Sequence, residues 1–388
     1  MKIADIRSYG LVDELWNPWF FVRVDTDEGI YGVGEGGGLW AGDNMQARHT
    51  HTEKFKEWFV GYDPLNVNKL INDAQQAQWG LSRLNLTLLS GIEMACWDIK
   101  GKYYGVPVHE LLGGKLRDRI KIYAKGWSSG IEEPEEWAAR AQEVVEQGFT
   151  GMKLEPFGDP FRIISSKNLH RAEAIVKAIR EAVGPDIDLI IEGHARFTIA
   201  EAIKIGRVLE PYEPTWFEAP VRATLGSEGY KEVRQRLNIP ISSDFAGIEH
   251  RFAALDFIRS QAIDIIQPSP TNCGGIWETT KIGHQADAAK IMFCPHHAEG
   301  PISFAAAVHI SSVLPNFLQL EYFETFAFPK WTFDVCETKV RRDGAEIIVP
   351  DAPGLGVDFD EEEAQKHLGN PKPDHNLYKP GWRDTYSK

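Results

Sequence analysis

The chain has 388 residues, of which 43% are hydrophobic and 25% are charged. These values are typical of a globular protein with room for two domains, or for a barrel with an accessory unit, and they argue against disorder. A formal net charge of −14 argues against a nucleic-acid binder, because such proteins need basic surface to displace counterions from phosphates.

The first hundred-odd residues predict an α+β unit. The segments "KIADIRSYGL", "WFFVRVDTD" and "GIYGVGEGG" are rich in β-forming residues, and "DTDEG" suits a tight turn between antiparallel strands. Helical patterns follow at Asn44 to Phe59, Leu65 to Gln78 and Leu86 to Tyr104. The Gly-Gly break in "LLGGKLRDRIKIYA" then marks a boundary between two parts of the chain.

After this boundary, strands and helices alternate. The predicted strands are "IKIYA", "FTGMKLE", "IDLIIEG", "PTWFEAP", "IPISSD", "AIDIIQP", "KIMFCPHH" and "NFLQLEYF". Their continuous apolar character is typical of parallel strands covered on both faces. Eight βα units predict an α/β fold of the (β/α)8 barrel type. One intervening helix is predicted in "EEPEEWAARAQEVVEQG", with Pro134 in its first turn and Gly148 as its C-cap.

Polar residues end successive strands at a nearly constant interval. From Glu192 onward they lie 25 to 27 residues apart, at Glu192, Glu218, Asp244, Ser269, His296 and Glu321, and Lys153 and Glu155 precede them. Because all strands of such a barrel open on one face, we expect these side chains to form a ring at the mouth, where active sites of this fold lie.

Glu192, Glu218 and Asp244 end three consecutive strands and predict a site for a hard divalent ion, most plausibly Mg²⁺. Any one of them alone would more simply cap a helix or solvate a strand end. Lys153 before the three and His296 after them suit removal of a proton from carbon next to a carboxylate, and His194 adds a further proton donor.

The sequence resembles the enolase superfamily, in the mandelate racemase/muconate lactonizing enzyme-like group that contains acid sugar dehydratases. The similarity runs through "GIYGVGEG", "LLSGIEMACWDIKGKYYGVPVHELLGGKLRDRIKIYA", "WFEAPV", "IDIIQPSPTNCGGI", "PHHAEGPISFAAAVH", "LEYF" and "PDAPGLGVDFDEEE". It implies a capping domain at 1–118, a barrel at 119–325, and a segment at 326–388 that returns to the cap. Loops at Leu15 to Trp19, including Trp16, and at Trp40 to Asn44 would close over the mouth and contact substrate.

The resemblance also implies a role for each matching residue. Glu192, Glu218 and Asp244 match the metal ligands, Lys153 the first lysine of a "KxK" motif and His296 the catalytic histidine of the seventh strand. Glu321 matches an acid that binds substrate or the developing oxyanion. His194 matches a histidine that protonates a departing hydroxyl in some sugar-acid dehydratases, and we expect Arg196 and Glu155 to help position the substrate.

The chain departs from the family pattern at three places. Glu155 replaces the second lysine of "KxK", and it is either an alternative base with a raised pKa or a partner that keeps Lys153 charged. Ser269 replaces an aspartate that supports the catalytic histidine, which predicts an unassisted His296. Asp244 stands where relatives commonly have "GE"; Glu249 is the fallback third ligand.

The predicted function is Mg²⁺-dependent dehydration of a sugar acid, an aldonate or aldarate, to a 2-keto-3-deoxy acid through an enediolate. Epimerisation or racemisation, cycloisomerisation of a sugar lactone, and sugar-acid binding without catalysis are the alternatives. No leader, membrane span, CxxC pair or basic patch is evident, so a reduced, cytoplasmic protein is expected that binds neither membranes nor nucleic acid. Relatives of this group tend to be homo-oligomers, and we expect the same here.

Overall fold

The protein is described by a computed structural model that covers residues 1–14, 18–37, 45–77, 82–158, 160–244 and 250–369. Its N-terminal part is a three-stranded antiparallel sheet followed by helices, as the sequence predicted. The elements are β1 (Ile3–Val12), β2 (Pro18–Thr26), β3 (Tyr31–Glu35), α1 (Met45–Phe59), α2 (Val67–Ala77), α3 (Arg83–Tyr104) and α4 (Val108–Leu111).

Helix α3 lies directly against strand β3, and glycines make this approach possible. A Cβ atom added to Gly34 would stand 1.8 Å from the carbonyl oxygen of Gly91, which no side chain allows. The glycines of "GVGEG" and "LLSGIE" therefore let helix backbone contact strand backbone.

The second part of the chain alternates strands and helices. Its elements are β4 (Arg119–Ala124), α5 (Pro134–Glu146), β5 (Gly151–Leu154), α6 (Ser166–Val183), β6 (Asp188–Glu192), α7 (Ile199–Leu209), β7 (Trp216–Glu218), α8 (Ser227–Arg236), β8 (Ile241–Ser243), α9 (Arg251–Arg259), β9 (Ile265–Ile266), α10 (Ile276–Ala288), β10 (Met292–Phe293), α11 (Pro301–Val313) and β11 (Leu320–Tyr322). Short 3-10 turns lie at Glu210–Tyr212 and Ala223–Leu225. Seven of the eight predicted strands contain one of the strands β5 to β11, and β4 begins one residue before the predicted strand "IKIYA". Pro134 begins α5 as predicted, whereas its C-cap is Gln147 and Gly148 follows with φ 91°.

These parallel strands close into a barrel. Strands β4 to β10 pair in chain order, and β11 pairs with β4. On the other side, Phe293 of β10 forms a parallel bridge with Phe317, just before β11. Inside the barrel a small apolar cluster contains Tyr123 and Trp216, whose rings meet edge to face at 5.6 Å. The interior of the barrel is therefore filled with packed side chains.

The C-terminal part contains α12 (Glu324–Ala327), α13 (Trp331–Val335), β12 (Cys336–Thr338), β13 (Arg341–Asp343), β14 (Glu346–Ile348), β15 (Val357–Phe359) and α14 (Glu361–Lys366). The β13–β14 hairpin pairs with barrel strand β4, and α14 contacts β1. The Tyr9 hydroxyl donates a 2.7 Å hydrogen bond to Glu361. The chain thus returns to the N-terminal sheet, while the predicted domain limits of 1–118, 119–325 and 326–388 stay a prediction.

Two glutamates of the N-terminal unit cap helices of the barrel. Glu93 of α3 accepts hydrogen bonds from the backbone N–H groups of Ile276 (2.7 Å) and Trp277 (2.9 Å) at the start of α10. Glu35 of β3 accepts from the N–H groups of Gly300 and Ser303 at the start of α11. Carboxylates satisfy the unpaired N–H groups of a helix start and complement its partial positive charge.

None of the helices in the described part of the chain combines the length and the apolar character that crossing a membrane requires. All four cysteines are buried, and none of them forms a disulfide.

His309 on α11 makes the fold sensitive to acid. Its Nδ1 accepts from the backbone N–H of His109 at 3.4 Å, and its Nε2 lies 3.3 Å from the carbonyl oxygen of Leu355, so the ring is held neutral. Burial, aided by the neighbouring His109, lowers the pKa of His309 to about 3. The unfolded chain therefore binds the proton first, and stability that is present above pH 6.5 is lost as the pH falls below that value.

We expect this histidine alone to cost about 2 kcal/mol of unfolding free energy at pH 5 relative to pH 8. His309→Gln, which offers one acceptor and one donor, should remove that part of the pH dependence in urea unfolding measured between pH 8 and pH 5. His284→Gln, on an exposed position of α10, is the matched control and should keep the wild-type slope. An unchanged slope in His309→Gln would contradict the assignment.

Candidate active site

Lys153 is the centre of a buried ionic cluster at the carboxyl ends of the barrel strands. Its Nζ lies 2.5 Å from Glu321 Oε1, 2.8 Å from Glu218 Oε1 and 3.2 Å from Glu192 Oε2. All four side chains are at most 2% exposed. The four strand ends that carry them, far apart in sequence, are therefore brought together as predicted.

The two adjacent glutamates of this cluster differ in their surroundings. Glu192 and Glu218 are direct neighbours across β6 and β7. Burial opposes charge on Glu218, but Lys153, with a further hydrogen bond from Gln267, lowers its pKa to about 2. Burial and the nearby Glu218 instead raise the pKa of Glu192 to about 7. The cluster is thus short of positive charge on the side of Glu192.

The backbone after these two glutamates is held in an unusual conformation. His194 (φ 48°), Ala195 (φ 55°) and Ala219 (φ 38°) occupy the left-handed region without being glycine. Gly193 precedes His194, and a Cβ atom added to Gly193 would stand 2.7 Å from the carbonyl oxygen of Ala219. Such conformations cost energy and are concentrated at functional sites. They explain why the strand "LIIE" is followed by "GHA": the loops of β6 and β7 must pass each other closely.

His194 and Glu155 form a second polar group beside the first. His194 Nδ1 lies 2.8 Å from Glu155 Oε2, and its Nε2 lies 3.9 Å from Glu192 Oε2. Burial opposes the charge on His194, but Glu155 and Glu192 outweigh it and raise its pKa. The ring is thus stabilised in its protonated form, which is the form that a general acid needs.

The contacts of Glu155 contradict both roles that the sequence predicted for it. Its oxygens contact His194 and Lys125, and the ion pairs of Lys153 are made with other carboxylates. Burial would raise the pKa of Glu155, but the charges of His194 and Lys125 lower it well below its ordinary value. Glu155 is therefore neither a base with a raised pKa nor the partner of Lys153; both interpretations were wrong.

His296 lies on the opposite side, with Nε2 3.9 Å from Glu321 Oε2. Burial lowers its pKa, but the negative charges of Glu321 and Glu299 reverse the effect and raise it. The prediction of an unassisted imidazole was therefore wrong. Glu299 accepts hydrogen bonds from Ser269 Oγ (3.2 Å) and Asn272 (3.4 Å), so Ser269 contacts one of the two carboxylates whose charge raises the pKa of His296.

The remaining predicted residues are placed as follows. Arg196 donates its Nε to Gly193 O (3.2 Å) and its Nη1 to Gly158 O (2.7 Å), so it fixes the loops after β5 and β6. Asp244 directly follows β8, and its role as third ligand stays a prediction. Trp16 and Glu249 lie outside the described residues, as do most residues of both predicted cap loops.

A divalent cation fits the chemistry of the cluster. Within the described residues, no group of three His, Cys, Asp or Glu side chains is arranged to hold one ion. However, three buried carboxylates surround a single ammonium, which leaves two negative charges uncompensated if all are ionised. Oxygen ligands of this kind suit a hard divalent ion, and buried charges require compensation.

Sequence reasoning missed Lys125, which follows β4 and is 10% exposed, with its ammonium against Glu155. The signal was available, because Lys125 ends the first barrel strand just as Lys153 and Glu192 end or line the next two. The strand "IKIYA" was predicted as the first barrel strand, but the polar residue that follows it was overlooked.

A closed parallel barrel with acids, lysines and histidines at its strand ends, covered by an α+β unit, is the architecture of a (β/α)8 barrel with a capping domain. Two family descriptions match the chain: "Mandelate racemase / muconate lactonizing enzyme, N-terminal domain" over residues 16–113 and "Enolase C-terminal domain-like" over residues 136–364. The chain belongs to the enolase superfamily, in its mandelate racemase/muconate lactonizing enzyme group.

Known relatives extend this similarity. The chain is 37% identical over 315 residues to a D-gluconate dehydratase of Thermoproteus tenax, a match that covers 81% of this chain and 63% of that protein, just under two thirds of its length. It is 30% identical over 391 residues to a D-gluconate/D-galactonate dehydratase of Picrophilus torridus, covering 98% and 97%. A solved structure of an enolase superfamily member from Salmonella Typhimurium matches with 30% identity and a TM-score of 0.89, covering 94% and 98%.

Proposed function

We propose that the protein is a hydro-lyase that removes water from a sugar acid and yields a 2-keto-3-deoxy acid. The observation that carries the proposal is the pair of histidines, His194 and His296, on the two sides of the buried cluster of Lys153 and its three carboxylates. The names of the relatives favour aldonates such as D-gluconate and D-galactonate over aldarates.

Glu192, Glu218 and Asp244 are the residues that would hold a Mg²⁺ ion, and the substrate carboxylate is expected to bind beside them. Bound there, the ion would supply Lewis acidity that lowers the energy of negative charge developing on the substrate. Lys153 adds positive charge at the same place, and Glu321 lies beside it to contact the oxygens of the substrate. Arg196 acts indirectly, by holding the loop that carries His194.

The proton transfers are assigned to the two histidines. His296, made more basic by Glu321 and Glu299, takes the proton from C2 and leaves an enediolate. His194, kept protonated by Glu155 and Glu192, gives a proton to the C3 hydroxyl, which departs as water. The resulting enol takes a proton at C3 and becomes the 2-keto-3-deoxy acid, so that the net change is the loss of one water.

A panel of C4 to C6 aldonates and aldarates tests the proposal directly. Incubated with protein and Mg²⁺, at least one of them should give a 2-keto acid. Exchange of the C2 hydrogen in deuterated water without any 2-keto acid would instead identify an epimerase or racemase, and ring opening of a sugar lactone added to the panel would identify a cycloisomerase. If no reaction is detected in any assay while binding is still measurable by calorimetry, the proposed reaction is rejected. The protein would then be a barrel that binds sugar acids without catalysis.

Removal of the metal is a separate prediction. Protein dialysed against EDTA should lose at least about 100-fold in turnover, because the charge on the developing intermediate is then opposed by three carboxylates and one ammonium. Adding Mg²⁺ should restore the rate, as measured by 2-keto acid formation. Full activity after the metal content has been shown to be negligible would contradict the assignment.

A further inference from the structure

Lys125 ends the first barrel strand and points its charge at the site rather than at solvent. Its side chain is 10% exposed, and its Nζ contacts Glu155 Oε1. The register places its neighbour Ala124 opposite Met152 of β5, the residue before Lys153. Lys125 therefore lies beside the strand end that carries both Lys153 and Glu155.

Glu155 joins Lys125 to His194 through its two oxygens. Oε1 contacts Lys125, and Oε2 lies 2.8 Å from His194 Nδ1. A carboxylate that binds through both oxygens cannot rotate without breaking one of the contacts. The ammonium of Lys125 thus fixes the plane in which Glu155 meets the imidazole.

The contact with Glu155 determines which nitrogen of His194 faces the cluster. An ionised carboxylate only accepts hydrogen bonds, so Nδ1 must carry the hydrogen that it donates to Oε2. Nε2 is then the nitrogen on the side of Glu192, at 3.9 Å from its Oε2. A ring flipped by half a turn would turn Nε2 away from this side of the site.

We propose that Lys125 is a positioning residue for His194, acting through Glu155 as a Lys125–Glu155–His194 chain that sets the orientation of the imidazole. The inference rests on the proposed function in that His194 protonates the departing hydroxyl. Lys125 does not take part in proton transfer itself. It brings a positive charge from the first strand to Glu155, which stands where the resemblance expects the second "KxK" lysine.

A double-mutant cycle tests the chain by its kinetics. Lys125→Met should lower kcat about 10- to 100-fold, a part of the roughly 10²–10⁴-fold that general acid catalysis supplies, and should change KM less than threefold. Because Lys125 acts through Glu155, the double variant Lys125→Met/Glu155→Gln should be no slower than Glu155→Gln alone. Additive losses, or a raised KM with unchanged kcat, would overturn the proposal.

Lys121→Met is the matched control. Lys121 lies on the same strand and makes a 2.7 Å ion pair with Asp188, at the opposite end of the barrel. The Lys121→Met substitution removes the same charge and the same hydrogen-bond donors as Lys125→Met. It should leave kcat and KM within twofold of the wild type. An equal loss in both variants would mean that the effect is only structural.

Crystal structures of wild type and Lys125→Met give a readout that does not depend on catalysis. In the wild type His194 Nδ1 should contact Glu155, and in the variant Glu155 should turn away and the His194 ring should rotate or occupy two orientations. An unmoved ring in the variant would reject the positioning role. If no sugar acid is dehydrated by the wild type, the proposed function fails while this structural test still stands.

Discussion

Lys153→Met should unfold more easily than the wild type and should be unable to dehydrate any substrate. The substitution leaves Glu192, Glu218 and Glu321 buried without the ammonium that contacts all three. Removing one partner of a buried ionic cluster costs about 3–5 kcal/mol, because the remaining charges stay unpaired in a medium of low polarisability. We expect this loss in urea unfolding in the presence of EDTA.

The same variant distinguishes a counter-ion from a packing residue. Methionine has a similar length, so a loss caused by charge should shrink when Mg²⁺ is added or when the pH is lowered and the carboxylates bind protons. A loss caused by packing would be insensitive to both. Lys121→Met, whose side chain is 43% exposed, should cost less than about 1 kcal/mol. Equal stability of wild type and Lys153→Met in EDTA would contradict the role assigned to the lysine.

His194→Asn should abolish dehydration while leaving the first proton transfer intact. We expect formation of the 2-keto acid to fall about 10²–10⁴-fold, because hydroxide is a poor leaving group without a proton donor. Exchange of the C2 hydrogen with deuterated solvent should stay within about threefold of the wild-type rate, since His296 lies on the other side of the cluster.

The reciprocal variant sharpens the comparison. His296→Asn should lose both exchange and product, because no proton leaves C2. If His194→Asn loses both activities to the same extent, the division of labour between the two histidines is wrong. Unchanged turnover in His194→Asn would remove His194 from the mechanism altogether.

The positions of the strand ends were predictable from the sequence, whereas the contacts between their side chains were not. The interval of 25 to 27 residues from Glu192 onward correctly indicated that Glu192, Glu218 and Glu321 converge, because the repeat of a βα unit fixes where each strand ends, and Lys153 was placed with them by the end of the preceding strand. That the Lys153 ammonium contacts all three carboxylates depends on rotamers and on the stagger of neighbouring strands. Neither quantity can be obtained from the spacing of residues.

The contacts of the residues that depart from the family pattern could not be predicted for a similar reason. Ser269 was interpreted by the residue it replaces, whereas the charges that raise the pKa of His296 come from Glu321 and from Glu299, three residues after that histidine. Glu155 was interpreted against Lys153, its neighbour along the strand, and it contacts Lys125 from the adjacent strand. A charge lost at one position of a barrel mouth can be supplied from another strand, which a reading of single motifs does not detect.

Two glutamates of the N-terminal unit cap the barrel helices α10 and α11. These contacts constrain how the two parts of the protein can change in evolution. Glu93 and Glu35 hold the starts of helices that follow β9 and β10, next to the loops bearing Ser269 and His296. A chimaera that exchanged the N-terminal unit for that of a distant homologue would keep its helix starts only if both acids were transplanted with it. The two parts of the chain are therefore expected to have been inherited together, with new substrate preferences arising within loops and not by shuffling of whole units.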